Sequence, residues 1–315
     1  MADVSLSVAA GEVVGLLGPN GAGKSTTMNM ACGVLAPDAG TVRITGEPLS
    51  PRRRDLRAKL GVVPQDLAVY PDLTARQNLH FFGTLQGLSG ADLERRVADA
   101  LARTGLTGRA DDRPEHYSGG MKRRLNFGCA LLHDPAVLIL DEPTVGVDPQ
   151  SRAHLLSAVR DLAAGGTAVV YASHYMEEVE AVCDRVAVVD AGRVLAAGRI
   201  DELLARLDST LRLRVAPPPG AGAGAGGFDP ATLLPPGLAG LFDVTPREAG
   251  LVELTLPKSR LDETGGGGDA KTLSGVLAPT LEHVRRAGGR LEAVHTDEPD
   301  LDRLFLELTG RGLRD

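Results

Sequence analysis

The sequence predicts an α/β fold built on a parallel sheet, followed by a smaller α+β domain. Three observations carry that prediction. Short apolar runs (13–17, 60–64, 136–140, 168–173 and 186–189) alternate with segments of helical periodicity, the pattern of strand–helix crossovers. Runs such as Ala136-Val137-Leu138-Ile139-Leu140 are continuously apolar rather than alternating, which belongs to strands covered on both faces. Near residue 211 the composition changes. Pro217-Pro218-Pro219 and glycine-rich stretches at 220–227 and 265–268 interrupt runs that do alternate, at 211–215 and 252–256. The expected domains are residues 1–210, with a helical region at about 70–130, and residues 211–315.

Composition narrows the class. At 315 residues the chain is long enough for about two domains, each with its own core. A net charge of −7 and a pI near 5.6 speak against a nucleic-acid binder, which carries a basic face; Arg52-Arg53-Arg54 reads as a solvated loop. No run approaches the roughly 18 apolar residues of a membrane span. Met1-Ala2-Asp3 leads into alternation without the pattern of a signal peptide. Cys32, Cys129 and Cys183 lack metal-ligand spacing and read as reduced core residues. A cytoplasmic protein is the expectation.

In chain order, residues 4–8 alternate as a half-buried strand, and Ala9-Ala10-Gly11 turns into the apolar run 13–17. Residues 25–32 read as the next helix. Val42 and Ile44 suggest a strand closed by Gly46, and the run 60–64 ends at Gln65. Residues 71–129 are helical with polar loops. After the strand 136–140, Asp148-Pro149 starts a helix with a capping carboxylate and a proline at its first position, and Gly165-Gly166 ends it. The strands 168–173 and 186–189 flank a helix bearing Met176, Val179 and Cys183. In the second domain, helical spacing of Leu273, Val276, Leu277, Leu281 and Val284 precedes a strand near 291–294. Leu301, Leu304, Phe305 and Leu308 close the chain on a helix.

The chemistry starts at Gly18-Pro19-Asn20-Gly21-Ala22-Gly23-Lys24-Ser25-Thr26, between a strand and a helix. That context is the one a phosphate-binding loop requires. Glycines admit close approach of the backbone, and N–H groups at the helix start hold negative charge. Lys24 can reach β- and γ-phosphates, and the Ser25 hydroxyl can ligate Mg2+. Asp141 ends an apolar strand, placed to hold Mg2+, and Glu142 follows as a group able to take a proton from water. Gln65 and His174 each end a strand, where they can address the γ-phosphate side through metal, water or a hydrogen bond. Ser118-Gly119-Gly120 opens a helix as a second phosphate cradle. One chain has little use for two cradles on one phosphate; two facing chains do.

Taken together these residues resemble the ATPase subunit of ABC transporters. Residues 18–26 match its Walker A loop, Gln65 its Q-loop, and Ser118-Gly119-Gly120 its signature. Leu140-Asp141-Glu142-Pro143-Thr144 matches Walker B, Gly146-Val147-Asp148-Pro149 the D-loop, and His174 the switch histidine. The match covers roughly residues 4–205. The tail 298–311, with Tyr117 and Met121 in the signature, is similar to the daunorubicin-resistance-like group of drug and antibiotic exporters. The resemblance implies a P-loop NTPase (RecA-like) core with a helical signature subdomain, and ATP and Mg2+ as ligands. It also implies a homodimer or pseudo-dimer sandwiching two ATP, and a separate integral membrane permease docked near 66–82 on the cytoplasmic face of the membrane. Glu142, His174 and Gln65 would be catalytic, with Ser25, Gln65 and Asp141 around the metal.

One departure stands out. The family's adenine-stacking aromatic precedes Walker A, yet no Phe, Tyr or Trp precedes Tyr70 here. Base stacking is worth about 1–3 kcal/mol in single-stranded nucleic-acid binders. Either the start lies downstream of the natural one, which is the expectation, or the chain lacks the stacking residue and its edge strand. Soluble ABC ATPases of DNA repair or ribosomes fit less well: about fifty residues separate Gln65 from Ser118, too few for a long coiled coil, and residues 211–315 hold no second Walker A. A degenerate regulatory subunit is disfavoured by intact Glu142, Gln65 and His174.

Overall fold

Contacts divide the chain into two units, residues 1–203 with 305–315, and residues 204–304. The computed structural model describes residues 3–218, 229–247, 250–263 and 273–310. The predicted glycine-rich stretches at 220–227 and 265–268 lie outside them.

In the first unit, β1 (Val13–Leu17) is buried at every position and leads through the glycine loop to α1 (Lys24–Ala31). β2 (Arg43–Ile44) and β3 (Glu47–Pro48) form a hairpin. Its turn, Thr45-Gly46, takes φ of 50° and 82°, the left-handed pair that matches strand twist. α2 (Arg54–Arg57) and β4 (Leu60–Val63) follow. The helical region comprises α3 (Ala75–Leu85), α4 (Gly90–Arg103) and α5 (Gly119–Leu131). α3 opens on a capping box, Thr74 with Gln77. Leu79, Leu93, Val97, Leu101 and Leu125 form the core of this region.

β5 (Val137–Asp141), α6 (Pro149–Ala164), β6 (Ala168–Ser173), α7 (Met176–Val182) and β7 (Arg185–Asp190) complete the crossovers. As the sequence suggests, the Asp148 carboxylate caps α6, accepting from Ser151 N at 2.9 Å. β8 (Arg193–Arg199) returns antiparallel to β7 and leads into α8 (Ile200–Leu204). The sheet order is β4-β5-β6-β1-β7-β8, with the first five strands parallel. Alternate residues of each central strand serve opposite faces. Leu138 and Leu140 join a core with Phe127, Leu155 and Val159 from α5 and α6. Ile139 joins a second core with Met28 of α1. Each fully buried side chain of this kind contributes about 1.5–3 kcal/mol.

Two local outcomes differ from the sequence pattern. Val4, Leu6 and Val8 are half-buried and Ser5 and Ser7 exposed, yet residues 4–8 form no strand. Alternation selects a face, but a strand also needs a ladder partner, and among the described residues none pairs with this segment. Conversely, β8 is unannounced because Arg193–Arg199 carries few β-branched residues. Its only punctuation is Ala191-Gly192, at φ of 47° and 75°.

In the second unit, β9 (Thr210–Ala216), β10 (Asp243–Pro246), β11 (Val252–Pro257) and β12 (Arg290–Asp297) form an antiparallel sheet ordered β10-β11-β9-β12. α9 (Ser259–Glu263) and α10 (Leu273–Arg286) lie between β11 and β12 in the chain, and α11 (Leu301–Thr309), whose residues from Phe305 onward count with the first unit, ends the described chain. Leu211, Leu213 and Val215 point into a core with Leu254, Leu256 and Val276, while Arg212 and Arg214 face out. Such alternation is what a sheet with one covered face requires.

Candidate functional site

Parallel register decides which residues meet. Leu17 pairs with Ser173, Asp141 with Ala172, and Val63 with Leu140. The residues that follow these strand ends therefore emerge along one edge of the sheet: Gly18 onward, His174, Glu142 and Gln65. Ligands of open α/β sheets bind at that carboxyl edge.

The glycine loop is shaped by two constraints. Gly21 and Gly23 adopt φ of 81° and 104°, and Gly18 packs so closely on β7 that an added Cβ would lie 2.2 Å from the Val189 carbonyl oxygen. The first turn of α1 contains no acidic side chain and Gly23 supplies no side-chain cap, leaving its N–H groups to a ligand. Lys24 is 5% exposed and donates to Gly18 O at 2.7 Å and Pro19 O at 3.2 Å. Burial pushes its ammonium below the ordinary lysine range, opposed by Glu142 and Asp141.

Glu142 is the hub. Its Oε2 accepts from Gln65 Nε2 at 3.1 Å, and its Oε1 lies 3.1 Å from His174 Nδ1 and 3.5 Å from Lys24 Nζ. The residue is 6% exposed and sits at φ 48°, a left-handed conformation that costs roughly 1–2 kcal/mol away from glycine. Beside it, Asp141 Oδ1 is buried without a hydrogen-bond partner. Burial is the main cause that raises its carboxyl above 3.8, with Glu142 adding and the Ser25 hydroxyl and Lys24 opposing. Four of the predicted elements (residues 18–26, Gln65, Asp141-Glu142 and His174) thus come together.

The fifth sits at the start of α5. Ser118 caps that helix, accepting from Met121 N at 3.2 Å. Gly120 is backed by Ser151 and Asp148, within 2.4–2.6 Å of a hypothetical Cβ, and Gly119 by Gly146 O. The neighbours of this cradle belong to the turn before α6 and its first residues.

Sequence reasoning missed three supports. Arg123 of α5 donates to the Gln65 carbonyl oxygen. Buried Asn78 takes Tyr70 N at 2.7 Å and gives to Tyr70 O, Leu73 O and Thr74 O, while Asn126 Oδ1 accepts from Ala68 N; together they hold a loop that has no ladder of its own. Glu178 gathers a hydroxyl network behind the site. An asparagine at helical spacing carries no signal beyond polarity, so only its 0% exposure reveals the role.

Asp141→Asn is expected to raise the melting temperature at pH 7. The folded chain holds the Asp141 proton to higher pH than the unfolded one. Its favourable contribution is full below the unfolded value and is lost as pH rises through the folded one, so at neutral pH the charged form costs stability. Each kcal/mol of relief corresponds to about 2–4 °C in a domain of this size. The gap should close as pH falls toward 4, and thermal melts across pH 4–8 check it; a lower melting temperature at pH 7 would contradict the cause.

Fold and site together define a P-loop nucleoside triphosphatase. A family model described as ABC transporter matches residues 1–145. Linearmycin resistance ATP-binding protein LnrL of Bacillus subtilis (strain 168) is 42% identical over 315 residues, covering 99% of this chain and 94% of that protein. Daunorubicin resistance ATP-binding protein DrrA3 of Streptomyces coeruleorubidus is 38% identical over 98% of this chain and 90% of its own. Among solved structures, an ATP-binding subunit of an ABC transporter shares 34% identity at a TM-score of 0.60, covering 65% of this chain and 85% of that one. The cassette MJ0796, solved as a dimer bound to ADP and Pi, shares 27% identity at 0.57, covering 62% and 89%. The chain belongs to the ABC transporter family, as an ATP-binding and ATP-hydrolysing subunit. Among the described residues no helix is long and apolar enough to cross a membrane.

Proposed function

We propose that this subunit energises export of a drug, antibiotic or other hydrophobic compound through a separate membrane permease, from the cytoplasmic face of the membrane. Two copies close head to tail on two ATP molecules, residues 18–26 of one copy and Ser118-Gly119-Gly120 of the other holding each triphosphate. The cassette occupies residues 1–210, and residues 211–315 form an accessory domain. The observation that carries this reading is the convergence of Gln65, His174 and Lys24 on Glu142 beside the phosphate loop. Glu142 takes the proton of the attacking water, oriented by Gln65 and His174, and His174 donates to the γ-phosphate. The names of the relatives, resistance proteins for linearmycin and daunorubicin, support the cargo class.

The residues fit Mg2+. Asp141 Oδ1 is a buried oxygen without a partner, adjacent to the Ser25 hydroxyl, and hard oxygen donors suit this ion. Among the described residues no group of three or more His, Cys, Asp or Glu could hold a metal alone, so Ser25, Asp141 and Gln65 would share it with phosphate oxygens. When bound it neutralises charge on the phosphoryl group.

Residues 66–82 are the proposed docking face for the permease. Tyr70 and Phe81 are 47% and 42% exposed and stack edge to face at 4.9 Å, with Phe82 beside them, the aromatic anchor a protein interface favours. Arg76 in the same region is engaged by Asp111 at 2.9 Å, so aromatic rather than charge changes test the face. Tyr70→Ser with Phe81→Ser is expected to leave thermal unfolding within about 0.5 kcal/mol of wild type, as surface changes do, and to abolish co-purification with the permease. Undiminished co-purification would remove this face. The export reading is tested in cells: loss of the chain should sensitise them to a lipophilic antibiotic, and Glu142→Gln should fail to restore resistance. Unchanged sensitivity across a panel of such compounds would refute it.

A further inference from the structure

Glu178 is a buried carboxylate that the mechanism above does not use. It lies in α7, is 2% exposed, and collects hydroxyl donors from two separate segments, the turn after β5 and strand β6. Its Oε2 accepts from Thr144 Oγ1 at 2.6 Å, Tyr171 OH at 2.8 Å and Ser173 Oγ at 3.2 Å. Its Oε1 faces Arg152 Nε of α6 at 3.2 Å. Thr144 stands two residues after Glu142, and Ser173 immediately precedes His174. Thr144 and Ser173 are themselves 1% exposed, so these hydroxyls have no water to turn to.

The contacts continue outward to the histidine. Ser173 Oγ also accepts from Tyr175 N at 2.9 Å, the Arg152 guanidinium stands 5.3 Å over the Tyr175 ring, and that ring packs 4.1 Å from His174. Meanwhile Glu142 sits at φ 48°, a conformation that persists only where its surroundings over-determine it. One such restraint is Glu142 N donating to Ala172 O at 3.0 Å; the Thr144–Glu178 bond is the second, on the far side of the turn.

We infer that Glu178 is a positioning residue of the ATPase: its carboxylate ties the turn that carries Glu142 to the strand end that carries His174, and so maintains the contact between them. This rests on the roles given above to Glu142 and His174. A carboxylate is suited to the task because it only accepts. Three hydroxyls can all donate to it, and each is thereby oriented, whereas an amide of equal volume would present its own donors to them. Desolvating a carboxylate is costly unless it is paired and hydrogen-bonded; here Oε2 takes the three hydroxyls and Oε1 has Arg152 as an ion-pair partner without a hydrogen bond, so apolar packing alone would be better served by another residue.

The test uses the full chain and three variants: Glu178→Gln, Thr144→Val, and Tyr171→Phe, whose hydroxyl lies mid-strand and holds no turn. Glu178→Gln and Thr144→Val are expected to lower kcat for Mg-ATP about tenfold to a hundredfold, as small displacements of reacting groups do, with KM changed less than about twofold. Amide exchange should accelerate at residues 142–147 and 174–176 and stay unchanged in β1, while Tyr171→Phe alters neither readout. Glu178→Gln combined with His174→Ala should be no slower than His174→Ala alone, the non-additivity of groups acting through one another. Unchanged kcat and exchange in Glu178→Gln overturn the inference; so does exchange that accelerates equally in β1, which marks a general stabilising role. If Glu178→Gln does not fold, Thr144→Val decides on the same two outcomes. If His174→Ala itself keeps full activity, the role given to His174 fails, and exchange at 142–147 still shows whether Glu178 holds the turn.

Discussion

Glu142→Gln is expected to slow ATP hydrolysis by about 10²–10⁴, the range that general-base catalysis contributes, while ATP still binds. The amide matches the carboxylate in volume and can keep one polar contact each with Gln65 and His174, which now stand 3.1 Å away. It cannot take up a proton, and it withdraws the anion from Lys24 at 3.5 Å. Lys24 retains Gly18 O and Pro19 O as acceptors, so the loop is not left with an unpartnered buried ammonium. Under ATP the variant should therefore accumulate the proposed two-copy complex, visible as doubled mass in solution. Steady-state phosphate release and light scattering check the two halves separately. Equal hydrolysis rates for variant and wild type would sink the assignment of the base, and a monomer under saturating ATP would sink the sandwich.

Gly18→Ala is the second large effect, and its cause is steric. The new methyl would meet the Val189 carbonyl oxygen at 2.2 Å and Ala22 Cβ at 3.1 Å. The first is backbone of a central parallel strand and cannot swing away, so the end of β1 must move off β7. Overpacking of this kind costs typically 1–3 kcal/mol, or about 2–12 °C of melting temperature at the scaling given above. The displaced carbonyl at residue 18 is also the nearest acceptor for Lys24, so ATP affinity should fall about tenfold or more, the equivalent of 1.4 kcal/mol. Gly21→Ala is the informative comparison. Nothing lies within 4 Å of its added Cβ, and only the φ of 81° opposes it, so roughly 1–2 kcal/mol of backbone strain is expected without displacement of β7. Thermal melts and nucleotide titrations of both variants check this. A Gly18→Ala chain as stable as wild type would show that the strand end is softer than its packing implies.

Much of this was legible without coordinates because the relevant signals are local. A glycine loop between an apolar run and a helix, and Asp148-Pro149 before a helical period, each state their structure within a few residues. The same holds for the continuous runs that become the parallel strands, whose alternate side chains fill two cores. Where the local signal is incomplete the reading fails: residues 4–8 alternate yet lack a ladder partner among the described residues, and β8 forms on the strength of its neighbour β7 rather than its own residues.

What the sequence determined by itself is therefore the inventory: a glycine loop between strand and helix, Asp141 at a strand end, Glu142 after it as the proposed base, and strand-end Gln65 and His174, each tied to its element by short-range pattern. The tertiary structure alone decided who touches whom. Pairing Asp141 with Ala172 and Leu17 with Ser173 sets Glu142 against His174 across 32 residues of chain and against Gln65 across 77. It also encloses Glu178 among Thr144, Tyr171, Ser173 and Arg152. A buried carboxylate has no signature in a linear sequence, where it looks like any acidic residue of a helix's first turn; only packing removes its water and makes its partners obligatory.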